Sequence, residues 1–252
     1  LVMVLLVILA VRIWIVLACG SFLLLYFTET LPLALIGESL FDGVDFFALI
    51  AIPLFVLTGD VLVRTGLSNK LLNVAEVIAS SVKSGFGTTT ILGCGFFAAI
   101  SGSDAAGAAA IGRITIDRLV KQGYPKPYAC ALVASGACTG ILIPPSIAYI
   151  IVGLVLGISA STLFKAAVIP GLLILGSILI TNIIMNRKYK YETNIPPFTM
   201  KILFSTLNDS KYAILIPFII LGGIYSGIFT PTEAGAVAAA VALVVGFVKK
   251  TI

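Results

Sequence analysis

The chain alternates between long apolar runs and short polar ones. Apolar segments occupy 1–27, 46–63, 85–112, 128–157, 163–185, 212–229 and 232–248. Several approach the ~20 residues an α-helix needs to cross a bilayer core. The expected fold class is therefore an all-α membrane protein, a polytopic helical bundle.

The polar runs carry a charge pattern that orients these segments. Linker 64–84 holds Arg64, Lys70 and Lys83, and linker 113–127 holds Arg113, Arg118, Lys121 and Lys126. Linker 186–211 holds Arg187, Lys188, Lys190, Lys201 and Lys211, and Lys249 and Lys250 follow the last run. Linker 28–45 instead holds Glu29, Glu38, Asp42 and Asp45, with no basic residue. Basic linkers stay in the cytoplasm, so the acidic one faces outward. Parity then holds for every segment except 85–112, which basic linkers flank on both sides. That segment is expected to enter and leave from the cytoplasm as a re-entrant hairpin.

Its residues suit a reversal. Gly102 supplies the backbone freedom of a tight turn, and Ser103 or Asp104 can cap the returning helix. At 1.5 Å per residue the arm 85–100 is about 24 Å long, short of the ~30 Å core. A spanning helix with a glycine-rich middle is the competing reading. Asp104 reads either as a helix cap or as a hard oxygen ligand, since a carboxylate at membrane depth faces a protein or aqueous interior.

Segment 128–157 has its own interruption at Thr139, Gly140, Ile143, Pro144, Pro145 and Ser146. Two successive prolines remove two backbone donors, so a continuous helix cannot pass. Carbonyls around 140–143 then need protein or a ligand, unless a neighbouring helix simply fills a kink. Paired interruptions near the bilayer midplane are how secondary transporters build their sites. The hydroxyls of Ser101, Ser103 and Ser146, with free carbonyls, form an all-oxygen set that suits sodium better than a transition metal.

Other features are weaker. Thr230, Pro231 and Glu233 read as a capping box, with a proton relay as the alternative for Glu233. Arg12, inside the first run, marks a break or a snorkelling arginine on a short helix. Asp60 and Arg64 have the spacing of a helical ion pair. Gly136/Gly140, Gly153/Gly157 and Gly223/Gly227 have GxxxG spacing, which indicates close helix packing.

Composition removes most other classes. Of 252 residues, 60% are hydrophobic and 11% charged, with a mean hydropathy of +1.16. Soluble domains carry about 25% charged residues, so this chain is expected to take a lipid bilayer as its solvent. The net charge of +5 sits in inter-helix runs and forms no nucleic-acid face. Four cysteines without a CxxC pair, and no histidine, argue against a zinc site or a disulfide framework. An intramembrane serine protease needs a histidine. The aspartyl kind needs Gly-x-Gly-Asp, which fails at Leu57, Thr58, Gly59 and Asp60. No enzyme is expected. A channel-like or structural membrane subunit is the alternative to a carrier.

The hairpin around Ser101–Asp104, the break from Gly140 to Ser146, the stretch 222–234 and the segment 46–60 together resemble the large membrane subunit of TRAP (tripartite ATP-independent periplasmic) transporters. The matches run in order along nearly the whole chain. The resemblance implies a sodium-driven elevator of the bacterial cytoplasmic membrane, built as an inverted repeat. It also implies a small membrane subunit and a periplasmic substrate-binding protein as partners, with a dicarboxylate, sialic acid or another carboxylate as substrate. On this pattern Ser101, Gly102 and Ser103 match the hairpin tip and Gly140 to Ser146 the unwound helix, Ile143 included, together forming a sodium site. Thr139, Asp104, Pro144 and Pro145 would lie in its neighbourhood. Residues 1–84 would be scaffold helices with an amphipathic linker. Residues 85–157 would be half a transport domain, with hairpin 85–118 and broken helix 128–157. Residues 158–252 would be further spans. Asp104 stands where small or hydroxyl residues are common in the family. No second Ser-Gly-Ser or Pro-Pro-Ser copy is present, so truncation before a second repeat is expected.

Overall fold

A computed structural model describes residues 2–28, 34–80, 85–192 and 199–249. Glu29, Lys83 and Lys250, three of the charges that orient the segments, lie outside the described residues. All regular elements among the described residues are helical. The chain forms two compact units, Leu1–Phe47 and Ala48–Ile252.

The first unit contains α1 (Val2–Ile8), α2 (Ile13–Thr28) and α3 (Ala34–Asp42). The apolar run 1–27 is thus two helices. Ala10 has φ 56°, a left-handed conformation that stops α1, and Arg12 follows in the break. Met3 packs where α1 meets α2, in the space a side chain at Gly20 would need.

A 3₁₀ turn (Phe47–Ile50) opens the second unit and leads into α4 (Ala51–Arg64), which ends in the expected ion pair of Arg64 Nε with Asp60 Oδ2 at 2.7 Å. Within linker 64–84, α5 (Leu67–Ser80) is amphipathic and buries Leu67, Leu71, Leu72 and Ala75. Next come α6 (Gly85–Ser101) and α7 (Asp104–Lys121), then α8 (Lys126–Ala137), α9 (Thr139–Leu142) and α10 (Ile147–Leu156). The chain continues through α11 (Ala160–Tyr189), α12 (Met200–Asp209), α13 (Lys211–Tyr225) and α14 (Pro231–Val248).

Among the described residues, four stretches are long and apolar enough to cross a membrane: Phe47–Arg64, Lys126–Leu156, Ala160–Tyr189 and Pro231–Val248. A fifth exists if α12 and α13, bent by 76°, count as one broken span. The protein is a multi-pass membrane protein. The run 212–229 is shorter than its hydropathy implies, because α13 ends at Tyr225 and Gly227 turns at φ 77°.

The core packs small residues against large ones. Ala234, Ala238 and Ala242 of α14 lie in one buried cluster with Ala51, Phe55 and Leu62 of α4. Gly235 lets the two helices approach closely, since a Cβ there would stand 3.1 Å from Leu54 Cβ. In lipid, where apolar burial no longer drives helix association, such close packing is the main source of cohesion.

Candidate functional site

Helices α6 and α7 are antiparallel arms folded about residue 102. Arg118 lies over the Phe86 ring at 4.1 Å. Nearer the tip, a Cβ at Gly93 would meet Ile111 and one at Gly107 would meet Phe97, each at 3.9 Å. These three pairs are all centred on Gly102, as a hairpin requires. Cys94, Phe97, Ala110 and Ile111 form the small core between the arms. Gly102 itself has φ 63°. The returning arm runs through Lys121, slightly beyond its expected limit at 118.

The tip is capped as its residues suggest. Ser103 Oγ accepts from Ala106 N–H at 3.3 Å and is the N-cap of α7. Asp104 is half-buried, and its Oδ1 accepts from Ala105 N–H at 2.7 Å. The cap therefore belongs to Ser103, and Asp104 adds negative charge in the first turn.

The second interruption is shorter than the expected stretch from Gly140. Thr139 and Gly140 are helical in α9, and the chain leaves the helix only from Ile143 (φ −85°, ψ 119°) to Ser146 (φ −128°, ψ 129°), bending through the prolines between them. Ile143 N–H still reaches Thr139 O at 2.7 Å, and Thr139 Oγ1 donates to Gly136 O at 2.7 Å. The prolines explain where the break falls. Pro144 and Pro145 cannot donate to the carbonyls one turn back, so α9 ends at Leu142, just before them.

Both interruptions meet. Ile147 N–H donates to Gly102 O at 3.2 Å, which joins the break to the hairpin tip. A Cβ at Gly102 would lie 2.7 Å from Pro145 O, and one at Gly140 would lie 2.8 Å from Asp104 N. Either substitution would push backbone against backbone. Gly59 of α4 and Gly171 of α11 close the junction from outside, facing Ser101 Cβ and Leu142 O. Sequence reading misses these two, because an isolated glycine in an apolar helix carries no signal of what it touches.

Among the predicted donors, Ser101, Thr139 and Ser146 are almost wholly buried, as are Pro144 and Pro145. Ser101 Oγ makes only long contacts, donating to Ser103 O and accepting from Ser103 N–H, each at 3.4 Å. Ser146 Oγ is buried without a hydrogen-bond partner. A buried hydroxyl left unpaired costs about 1–3 kcal/mol, so this atom stands ready for a ligand. Among the described residues no group of three His, Cys, Asp or Glu side chains could hold a metal, so the donors here are hydroxyl and carbonyl oxygens. That chemistry fits a hard cation.

The whole chain, residues 1–252, matches the family model described as "Tripartite ATP-independent periplasmic transporter, DctM component". The protein belongs to the DctM family. That family is one of transporter permease components, not of enzymes. It is 38% identical to a C4-dicarboxylate TRAP transporter large permease protein of Pseudomonas aeruginosa, over 79% of this chain and 47% of that one. It is 36% identical to an isethionate TRAP transporter permease protein of Oleidesulfovibrio alaskensis, over 86% of this chain and 34% of the relative. A sialic acid TRAP transporter large permease protein of Vibrio cholerae is 33% identical, over 90% and 53%. The chain thus spans about half the length or less of these curated relatives, aligned to their N-terminal half.

Away from the tip, the chain also builds a polar cluster that the apolar pattern hides. Glu192, in linker 186–211, accepts from Phe86 N–H at 2.8 and 3.1 Å and from Tyr124 O–H at 3.2 Å. Its own N–H donates to Asn186 Oδ1 at 3.2 Å. Asn182 Nδ2 donates to Thr88 Oγ1 and Asn182 Oδ1 accepts from Tyr128 O–H, both at 3.3 Å. The available signal was two asparagines, 182 and 186, one helical turn apart in an apolar helix.

The other cap is confirmed at the start of α14. Glu233 N–H donates to Thr230 Oγ1 at 3.3 Å, and Thr230 N–H donates to Glu233 Oε2 at 2.8 Å. Glu233 therefore has the reciprocal bonds of a capping box.

Proposed function

We propose that this chain is the N-terminal half of the permease subunit of a sodium-coupled TRAP transporter, importing an organic acid across the bacterial cytoplasmic membrane. The observation that carries this reading is the junction of tip and break, with the buried, unpartnered Ser146 Oγ at its centre. Ser101, Ser103 and Ser146 hydroxyls, with carbonyls at Gly102, Gly140 and Ile143, would hold the sodium ion. Pro144 and Pro145 leave the carbonyls of Gly140 and Ile141 without helical donors, which makes them available as ligands. Asp104 and Thr139 lie beside this site, where Asp104 would bias it toward cations.

The names of the relatives support an acid as cargo: C4-dicarboxylate, sialic acid and isethionate. The family description is of a tripartite system, so a small membrane subunit and a periplasmic substrate-binding protein are the expected partners. In this reading α6 to α10 form half of a moving transport domain, whose hairpin is re-entrant, and the pattern repeats inverted in the other half.

The test is uptake by the complete permease, reconstituted with both partners in liposomes, using a labelled C4-dicarboxylate or sialic acid. Saturable uptake driven by an inward sodium gradient, and lost when potassium replaces sodium, is the expected result. Saturable uptake indifferent to sodium removes the coupling ion. Non-saturable flux favours a channel.

A further inference from the structure

We propose that Glu192 is a latch that fixes the cytoplasmic end of α11 to the base of the α6–α7 hairpin, so that the two travel as one body during transport. This rests on the transporter reading above.

The first N–H groups of a helix have no partner within it. For α6 one of them, Phe86 N–H, is taken by both carboxylate oxygens of Glu192, which lies 106 residues away in the chain. The helix dipole adds a favourable positive end at the same place. Gly85 completes the fit: at φ 45° it leaves room for the carboxylate, where any Cβ would collide with it. Glu192 is only 8% exposed.

The latch engages both arms of the hairpin. Tyr124, just after the returning arm, donates its O–H to the same carboxylate. Its ring also contacts those of Tyr128 and Tyr191, with centroids 5.9 and 5.4 Å away. Tyr128 and Tyr191 contact each other at 5.3 Å. From the α11 side, Asn186 holds the Glu192 backbone and Asn182 reaches Thr88 on α6. A chain segment leaving a helix is ordinarily free to diverge from its neighbours. This one is tied by a carboxylate, two amides and an aromatic stack to the base of the element that carries the candidate ion site at its other end.

Two measurements test the proposal. The first is amide exchange in detergent. Glu192→Ala should speed exchange at 86–90 by tenfold or more, leave α13 and α14 unchanged, and be rescued to within about threefold by Glu192→Gln, which keeps an acceptor. No acceleration at 86–90, or equal acceleration throughout α14, overturns the latch.

The second uses the complete permease with native cysteines replaced and Tyr128→Cys and Tyr191→Cys introduced. A short cleavable thiol cross-linker then joins the two positions. Uptake that survives cross-linking shows a single body. Uptake that is lost and returns on cleavage shows that the latch opens in each cycle, and overturns the proposal. Absence of uptake by the cysteine-free parent permease, with Tyr128 and Tyr191 intact, refutes the transport reading instead, and amide exchange then decides the latch alone.

Discussion

Ser146 concentrates the chemistry of the candidate site in one atom. Its hydroxyl is buried and unpaired, so removing it deletes a potential ligand without orphaning any protein partner. Ser146→Ala should therefore leave the fold intact while raising the sodium concentration for half-maximal uptake by about tenfold, which is roughly 1.4 kcal/mol of lost ion binding. An unchanged sodium dependence would remove Ser146 from the site. Glu192 presents the opposite case, a side chain with several partners. Burial holds its carboxyl above the ordinary value, opposed by the Phe86 N–H and Tyr124 O–H and reinforced by the nearby Glu76 carboxylate, itself paired with Arg118. A carboxyl raised in the folded state keeps its proton to higher pH than in the unfolded chain. Its contribution is then fully present below about 4.5 and declines as pH rises through the folded value. Glu192→Gln should flatten that part of the stability profile, measured as Tm against pH in detergent. A profile of unchanged slope would mean the carboxyl is not raised.

At the scale of elements, the site depends on how closely helices can approach. Gly140 faces the Ser103–Asp104 backbone, and an added methyl would stand 2.8 to 3.0 Å from atoms that cannot yield. Gly140→Ala should cost about 1–3 kcal/mol, the range of overpacked cores, and should weaken sodium dependence by parting the tip from the break. Gly176→Ala in α11 is the control. Nothing lies within 4 Å of its added methyl, so the change should be neutral or stabilising by the usual preference of helices for alanine. Equal losses at both positions would mean that the close approach at Gly140 has no special role. These contacts also mark the limit of sequence reading. The hairpin and the broken helix were legible because Gly102 and the Pro144–Pro145 pair act on their own backbone. The break starts at Ile143 and not at Gly140, because Thr139 O still accepts from Ile143 N–H and Gly140 stays within the helical turn, although Pro144 leaves its carbonyl without a donor. The roles of Gly59, Gly171 and Glu192 depend on residues far away in the chain, and no local pattern encodes them. The α5 helix was expected only as an amphipathic linker, since its polar face masked a buried one.

At the scale of the whole molecule, charge and helix geometry converge on one topology. The hairpin has its two ends together, at Gly85 and Lys121, and the linkers on either side are basic. A membrane-spanning reading would separate those linkers by a bilayer and place one positive cluster outside, against the usual bias. On that topology the candidate spans Lys126–Leu156 and Ala160–Tyr189 would return the chain to the starting side, where α12 and the base of α13 begin. The final turn around Ile228 would then face outward, and Lys249 inward. Single cysteines at Asn69, Lys121, Ser159, Ile228 and Lys249, in a background without the native four, test this as a set. Asn69, Lys121 and Lys249 should react with an impermeant thiol reagent only from the cytoplasmic side. Ser159 and Ile228 should react only from the outer side. Should Asn69 and Lys121 react from opposite faces, segment 85–112 would cross the bilayer once, as a single span. Gly102 would then not turn back within the membrane, and the oxygen cluster at Ser101, Ser103 and Ser146 would lose the geometry that makes it an ion site.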